Sequence, residues 1–267
     1  MVKIKTYDKQ RSSDDTVLIP NHPFVLPIIG SIASGKTTLL TNLLMEKEFY
    51  KQKFNKLIFI SCTADCDEKV QNILECPDIC ISNQVLQDEI DLDAFQVDET
   101  HVPTTLPKYK GIDDEDIHDS YHPDIISKLI KEQKKIIQTY EKSISNKILI
   151  VIDDAITASC YRAGHRDVFA KFATSLRHVN CSLIHCSQLW KAVPKVIRTQ
   201  STGVILCGLM NEIELKDLFE NFSVGKSFHT WCEIIMIILN KPYQPVVINL
   251  QNKRGYKIQK GFDEFIS

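Results

Sequence analysis

The residues best suited to chemistry form a short loop near the start of the chain. The sequence GSIASGKT at residues 30–37 fits the pattern G-x-x-x-x-G-K-[ST], directly after an apolar run at 24–29 and directly before a helix-forming run at 38–50. In this pattern glycines let the backbone wrap around a phosphate, the lysine reaches the β- and γ-phosphates, and the threonine hydroxyl binds Mg²⁺. We predict that a nucleoside triphosphate and Mg²⁺ bind at Gly30, Ser31, Ile32, Ala33, Ser34, Gly35, Lys36, Thr37 and Thr38.

A pair of carboxylates follows a second apolar run. Residues 148–152 are aliphatic and end in Asp153 and Asp154. An acid at the carboxyl end of a strand beside the phosphate loop lies where Mg²⁺ must sit, so we assign Asp153, with Thr37, to the metal. We assign Asp154 to the general base that orients the attacking water. An acid that caps the following helix or turn is the alternative interpretation of Asp154.

A polar amide closes a third apolar run, because Gln188 follows residues 181–187. If this strand lies between the strand before the phosphate loop and the strand before Asp153, Gln188 ends near the γ-phosphate. Its amide could then report the presence of that phosphate by hydrogen bonding.

The elements that must position these residues are predicted from the alternation of short apolar runs with segments of helical period. This alternation predicts an α/β fold in which helices flank a mostly parallel sheet. The expected core strands are residues 24–29, 56–61, 147–153, 181–187, 203–209 and 232–240, with 245–250 at the edge. Two segments with apolar side chains at helical spacing, residues 123–140 and 168–176, are expected to cover the sheet.

Composition limits the class of protein. The chain has 267 residues, 43% of them hydrophobic, and a formal net charge of -2. These values exclude disordered, collagen-like and disulfide-framework proteins, and they exclude a polycation that coats nucleic acid along its whole length. Because no apolar run is long enough to span a membrane and no signal-peptide core is evident, we expect a soluble, unexported chain.

We expect three segments: an N-terminal arm at residues 1–20, a nucleotide-binding domain at 21–250 and a C-terminal tail at 251–267. Residues 88–119 contain eleven acidic side chains and are expected to form a solvated surface insertion. Residues 161–198 instead contain one acid and seven basic side chains, which could line a DNA channel or serve a subunit interface. These basic residues are Arg162, Arg166, Lys171, Arg177, Lys191, Lys195 and Arg198.

The cysteines point to a reducing compartment. Their number, nine, is odd, and several lie inside apolar runs, so we expect reduced thiols. The spacing of Cys62, Cys66, Cys76 and Cys80 leaves two alternatives open, a zinc site and small apolar residues around a strand end.

Four motifs, taken in order, resemble a known family. The loop GSIASGKT, the strand ILIVIDD, the block RHVNCSLIHCSQ and the segment PKVIR are similar to the FtsK-HerA superfamily of pumping ATPases, specifically the genome-packaging ATPases of large DNA viruses and their virophages. The similarity covers about residues 24–250. It implies a RecA-like P-loop NTPase fold of the ASCE type that binds ATP and Mg²⁺. Asp154 stands where many members have Glu, although the viral packaging branch accepts Asp there.

The resemblance also implies partners and a cellular setting. It implies a ring, commonly hexameric, that hydrolyses ATP at subunit interfaces and threads double-stranded DNA of any sequence into a viral capsid. It places the chain in the host cytoplasm, at the viral factory, with the virion as a second location. It further implies an arginine finger supplied by a neighbouring subunit. Arg177 is the first candidate and Arg198 the second, with Arg162 and Arg166 behind them; for each, a solvated or phosphate-contacting cation is the alternative.

Three other functions compete with this interpretation. A small-molecule or nucleotide kinase shares the phosphate loop, but no arginine-rich lid is evident. A GTPase is disfavoured because Tyr243 stands where the N-K-x-D guanine reader, here beginning at Asn240, requires an aspartate. The third alternative, a virion structural protein that binds nucleotide without hydrolysing it, is compatible with the sequence.

Overall fold

The protein has an α/β fold with a central sheet. Its structure is a computed structural model, which describes residues 18–82, 109–139, 145–153, 168–252, 257–262 and 264–266. In chain order the elements are β1 (Val25–Gly30), α1 (Lys36–Met45), β2 (Lys56–Ser61), α2 (Glu68–Leu74), β3 (Cys80–Ile81), β4 (Tyr109–Lys110), β5 (Ile117–His118), α3 (Pro123–Thr139), β6 (Ile148–Asp153), α4 (Val168–Ser175), β7 (Cys181–Ser187), α5 (Lys195–Gln200), β8 (Gly203–Cys207), α6 (Glu212–Phe222), α7 (Phe228–Leu239), β9 (Val246–Asn249), β10 (Ile258–Lys260) and β11 (Glu264–Ile266).

Nine strands form the main sheet in the order β11-β10-β9-β8-β1-β7-β6-β2-β5, while β3 and β4 pair separately. The strands from β8 to β5 in this order run parallel, and β9, β10 and β11 extend the sheet antiparallel. The central strands are buried on both faces, which is why they occur in the sequence as continuous aliphatic runs. The predicted mostly parallel sheet is confirmed.

Helices cover both faces of this sheet. On one face Leu40 of α1 and Val70 of α2 pack against the alternate residues of the strands. On the other face the core contains Ile126 of α3, Phe172 of α4 and Trp231 of α7. The apolar periodicity that predicted helices at 123–140 and 168–176 therefore marked true sheet-covering faces, with Tyr140 outside the described residues.

The strand predicted at 232–240 is wrong, because residues 232–239 lie within helix α7 and Asn240 is the C-cap of that helix. The Ser227 hydroxyl caps its start by accepting the Thr230 amide at 3.3 Å. The buried residues Trp231 and Ile235 are four positions apart, whereas Ile237 is 70% exposed. Since the exposed face is also apolar, the sequence shows a continuous apolar run that resembles a buried strand.

The domain ends differ from the expected boundaries. Strands β10 and β11 lie within residues 251–267, so this segment continues the sheet beyond the expected tail. Residues 109–119 likewise supply the edge strand β5, and Asp116 is buried in an ion pair with Lys56 at 2.9 Å. Most of the N-terminal arm and residues 88–108 of the acidic insertion lie outside the described residues.

Candidate nucleotide-binding site

The phosphate loop connects the carboxyl end of β1 to α1 at the centre of the sheet. Gly30 closes β1 where the backbone of β8 passes close by. A Cβ at Gly30 would overlap the carbonyl oxygen of Cys207 and lie 2.8 Å from the Cys207 Cβ. The amide of Ser34 donates to the carbonyl of Ser31 at 3.3 Å and closes the turn. The first glycine of the motif is therefore required by packing as well as by loop shape.

The second glycine prepares the start of α1 for an anion. Gly35 is the N-cap residue and has φ of 90°, a left-handed conformation that costs little only for glycine. Because glycine has no side chain, it cannot cap the first amides of the helix as Ser or Asp would. Those amides and the positive end of the helix dipole favour a negatively charged group at this position.

The lysine of the motif lies folded along the loop. The Nζ atom of Lys36 donates to the carbonyl oxygens of Gly30 at 2.7 Å and of Ser31 at 2.8 Å. An ammonium group has three donors, so it can keep contact with the loop while it engages phosphate oxygens. Thr37, beside it on α1, is half-buried, and Thr38 is exposed.

Strand β7 lies between the strand of the phosphate loop and the strand of the acid. It pairs with β1 on one side and with β6 on the other. The condition set for Gln188 is therefore met, because this half-buried residue follows β7 at the edge shared with the phosphate loop and Asp153. The structure thus brings Lys36, Thr37, Asp153 and Gln188 to one edge of the sheet.

Asp153 is held by a neighbour on β7. The carboxylate is buried, and the thiol of Cys186 lies beside it, within reach of a hydrogen bond. Burial and the nearby charge of Asp153 hold the pKa of Cys186 well above its usual range, so the thiol stays protonated and is able to donate. Mg²⁺ prefers oxygen ligands and takes only one or two from the protein when it also binds phosphates. The Thr37 hydroxyl and the Asp153 carboxylate are chemically suited to that role.

Of the remaining predicted site residues, Arg177 and Arg198 lie away from this edge, and the others lie outside the described residues. Arg177 is exposed and lines a small pocket with Phe24, directly before β1, and Thr202, just before β8. It therefore lies at the amino edge of the sheet, opposite the phosphate loop. The Arg198 guanidinium on α5 stacks over the ring of Trp190, with 5.9 Å to the ring centroid. Asp154, Arg162 and Arg166 lie outside the described residues.

The four spaced cysteines do not come together as a metal site. Cys62 and Cys66 are exposed, whereas Cys76 and Cys80 are buried. The Cys76 thiol donates to Asp78, and burial raises the pKa of Cys80 to about 12. Within residues 18–82 and the other described ranges, no three His, Cys, Asp or Glu side chains are grouped to hold a metal ion.

Three further residues support the site and were missed by sequence reasoning. Gly208 has φ of 76°, and a Cβ on it would lie 3.0 Å from the Cβ of Ser34, so the turn after β8 supports the phosphate loop. The Nζ of Lys69 on α2 contacts the Thr38 hydroxyl at 2.7 Å. The third supporting residue is Cys186, which lies beside Asp153. The glycine directly after a strand was a usable signal for Gly208, whereas nothing local indicates Lys69.

Together the fold and the site define a P-loop NTPase fold with an additional strand between the phosphate loop and the acid. No protein-family model and no curated protein matches the sequence. The fold is similar to solved structures of the genome packaging NTPase B204 from Sulfolobus turreted icosahedral virus 2. The complex with ATP-gammaS has a TM-score of 0.54 and 15% identity, covering 91% of this chain and 100% of that one. The complex with AMPPCP has a TM-score of 0.52 and 13% identity at the same coverage.

The helices of the described residues are short or polar relative to the thickness of a bilayer. None of them combines the length and the apolar character that a membrane span requires.

Proposed function

We propose that this chain is an ATP-hydrolysing motor that moves double-stranded DNA, acting in the host cytoplasm to package a viral genome into a capsid. The observation that carries the proposal is the position of β7, which brings Gln188 to the edge between the phosphate loop and Asp153. A polar group there can respond to the γ-phosphate, which is the requirement of a nucleotide-driven motor. The similarity of the fold to a genome packaging NTPase supports the DNA substrate.

Each predicted site residue has a distinct task in the proposal. The amides at the start of α1 and Lys36 hold the β- and γ-phosphates, and they stabilise the charge that develops as the γ-phosphoryl group leaves. Thr37 and Asp153 hold Mg²⁺, which supplies further neutralisation of the phosphates when bound. Asp154 accepts a proton from the attacking water, and Gln188 hydrogen-bonds at the γ-phosphate.

The position of Arg177 supports hydrolysis at a subunit interface. Strand β7 has seven residues, so its two ends are about 20 Å apart at the usual rise per residue. Arg177 precedes this strand and the nucleotide edge follows it, which puts the side chain out of reach of its own phosphate loop. In a ring, the same side chain can face the nucleotide of a neighbouring subunit and act as a finger there.

The basic side chains of residues 161–198, which form the proposed basic patch, support contact with the DNA backbone. Lys171 on α4 and Lys195 on α5 are exposed, and these two helices cover the same face of the sheet. Lysines that face solvent bind phosphates without reading the base sequence. Lys191 contributes less in this proposal, because it pairs with Asp217 at 3.0 Å.

Two substitutions at the nucleotide edge test the proposal. Lys36→Ala should abolish hydrolysis and weaken ATP binding, whereas Asp154→Asn should keep Mg-ATP bound and lose turnover. With ATP labelled in the γ-phosphate, all label should appear as inorganic phosphate. Label transferred to an added small-molecule or nucleotide acceptor would identify a kinase instead. Normal turnover in Lys36→Ala would show that the phosphate loop is not the site of ATP hydrolysis.

A further inference from the structure

One aromatic side chain at the nucleotide edge has no task in the mechanism above. Tyr243 lies in the turn between α7 and β9 and is 83% exposed, although tyrosine is largely apolar. A Cβ placed on Gly35 would lie 3.4 Å from the Cδ1 atom of the Tyr243 ring. The ring therefore lies against the phosphate loop while most of its surface faces solvent.

The backbone holds this ring in an unusual but fixed position. Tyr243 has φ of 56°, a left-handed conformation that L-residues other than glycine, asparagine and aspartate rarely adopt. Two backbone hydrogen bonds fix this turn. The amide of Gln244 donates to the carbonyl of Lys241 at 3.2 Å, and the amide of Gly261 donates to the carbonyl of Pro245 at 2.8 Å. Such outliers persist where the surrounding structure imposes them, and they cluster at ligand sites.

The strand order decides which end of a nucleotide faces the ring. The proposed metal ligand Asp153 ends β6 and the proposed γ-phosphate contact Gln188 follows β7, and both strands lie on one side of β1. The loop wraps the β-phosphate at the end of β1 itself. The nucleoside must therefore leave on the other side, where β8 and β9 lie, and Tyr243 precedes β9 there.

We propose that Tyr243 is the platform on which the nucleobase stacks. The inference rests on the proposed nucleotide site and adds the residue that binds the base. Because one exposed ring offers a π-face and no fixed pattern of donors and acceptors, it holds any purine by stacking. The site should therefore accept ATP and GTP, and the base should add affinity that a bare triphosphate chain lacks.

Calorimetric titration with Mg-ATP, Mg-GTP and Mg-tripolyphosphate tests the platform. Tyr243→Ala keeps a Cβ and removes only an exposed ring, so the fold should be unaffected. The scale of base stacking predicts an affinity for both nucleotides about 5- to 100-fold weaker, with tripolyphosphate binding unchanged. Tyr243→Phe should recover most of the affinity, and Ile237→Ala, another exposed apolar residue, should match the wild type.

The outcomes separate the platform from the site beneath it. Wild-type affinity for ATP in Tyr243→Ala overturns the platform alone, since nucleotide binding survives. An equal loss for ATP and tripolyphosphate also overturns it, because the ring would then act by supporting the loop. If the wild type binds neither ATP nor tripolyphosphate, the result contradicts both the proposed nucleotide site and the platform.

Discussion

The thiol of Cys186 on β7 lies beside the carboxylate of Asp153 on β6, within reach of a hydrogen bond, so the strand beside the phosphate loop contacts the proposed metal ligand. Mutation of a partner that orients a metal-binding carboxylate typically weakens metal affinity or activity by about 10- to 100-fold. This pairing also explains why a cysteine, a weak donor, occupies this buried position: its neutral thiol lies beside the acid without adding charge.

Replacing this thiol should affect the metal more than the fold. We expect Cys186→Ala to raise the Mg²⁺ concentration needed for half-maximal ATP hydrolysis by about tenfold, because the carboxylate loses its partner. Cys181→Ala is the matched control, since it removes a buried thiol from the amino end of the same strand. Equal Mg²⁺ requirements in the two variants would contradict the orienting role of Cys186.

The position of Arg177 predicts complementation between two inactive subunits. Arg177→Ala should bind ATP normally and hydrolyse it about 10³- to 10⁵-fold more slowly, the scale of known arginine fingers. Mixing it with Lys36→Ala should restore activity, because some interfaces then pair an intact loop with an intact finger. Turnover in mixed and separate samples is compared, with Arg198→Ala tested alongside. Parental turnover in Arg177→Ala, or no recovery in rings shown to be mixed, would contradict the assignment.

The basic patch predicts how DNA affinity depends on salt. Replacing Lys171 and Lys195 by alanine should weaken duplex binding for all sequences and reduce the slope of log affinity against log salt by about 2. Basal ATP hydrolysis without DNA should not change. Alanine at Lys47 and Lys53, exposed lysines before β2, provides the control. An unchanged slope of log affinity against log salt would show that Lys171 and Lys195 do not contact DNA.

Buried His185 on β7 predicts a pH dependence of stability. Burial lowers the pKa of His185 to about 4, below its ordinary value near 6.5. Between these values the unfolded chain binds a proton that the folded chain does not, so the free energy of unfolding falls as the pH is lowered. This group should account for a loss of about 2 kcal/mol between pH 7 and pH 5.

Urea unfolding at the two pH values measures that loss. His185→Gln should reduce it, whereas His229→Gln, at an exposed position, should leave it as in the wild type. The same pH dependence in His185→Gln and the wild type would assign the loss to other groups.

Features of the site that lie within one short stretch of sequence could be predicted, and features that depend on contacts between distant stretches could not. The phosphate loop and the acid after β6 occupy single stretches of sequence, and their chemistry requires a fixed spacing. The contacts of Cys186, Gly208 and Tyr243 depend on which strands are neighbours, and one sequence does not specify that order. Helix α7 was mistaken for a strand because its exposed face carries Met236 and Ile237, so burial no longer shows as periodicity.

The rate of ATP hydrolysis with and without linear double-stranded DNA tests the central claim most directly. For a DNA-moving motor we expect the wild-type rate to rise severalfold when DNA is added, and to fall back as DNA binding is screened by salt. Lys36→Ala should show no turnover in either condition. Hydrolysis that does not respond to DNA, or a wild type that binds ATP without hydrolysing it, would contradict the account.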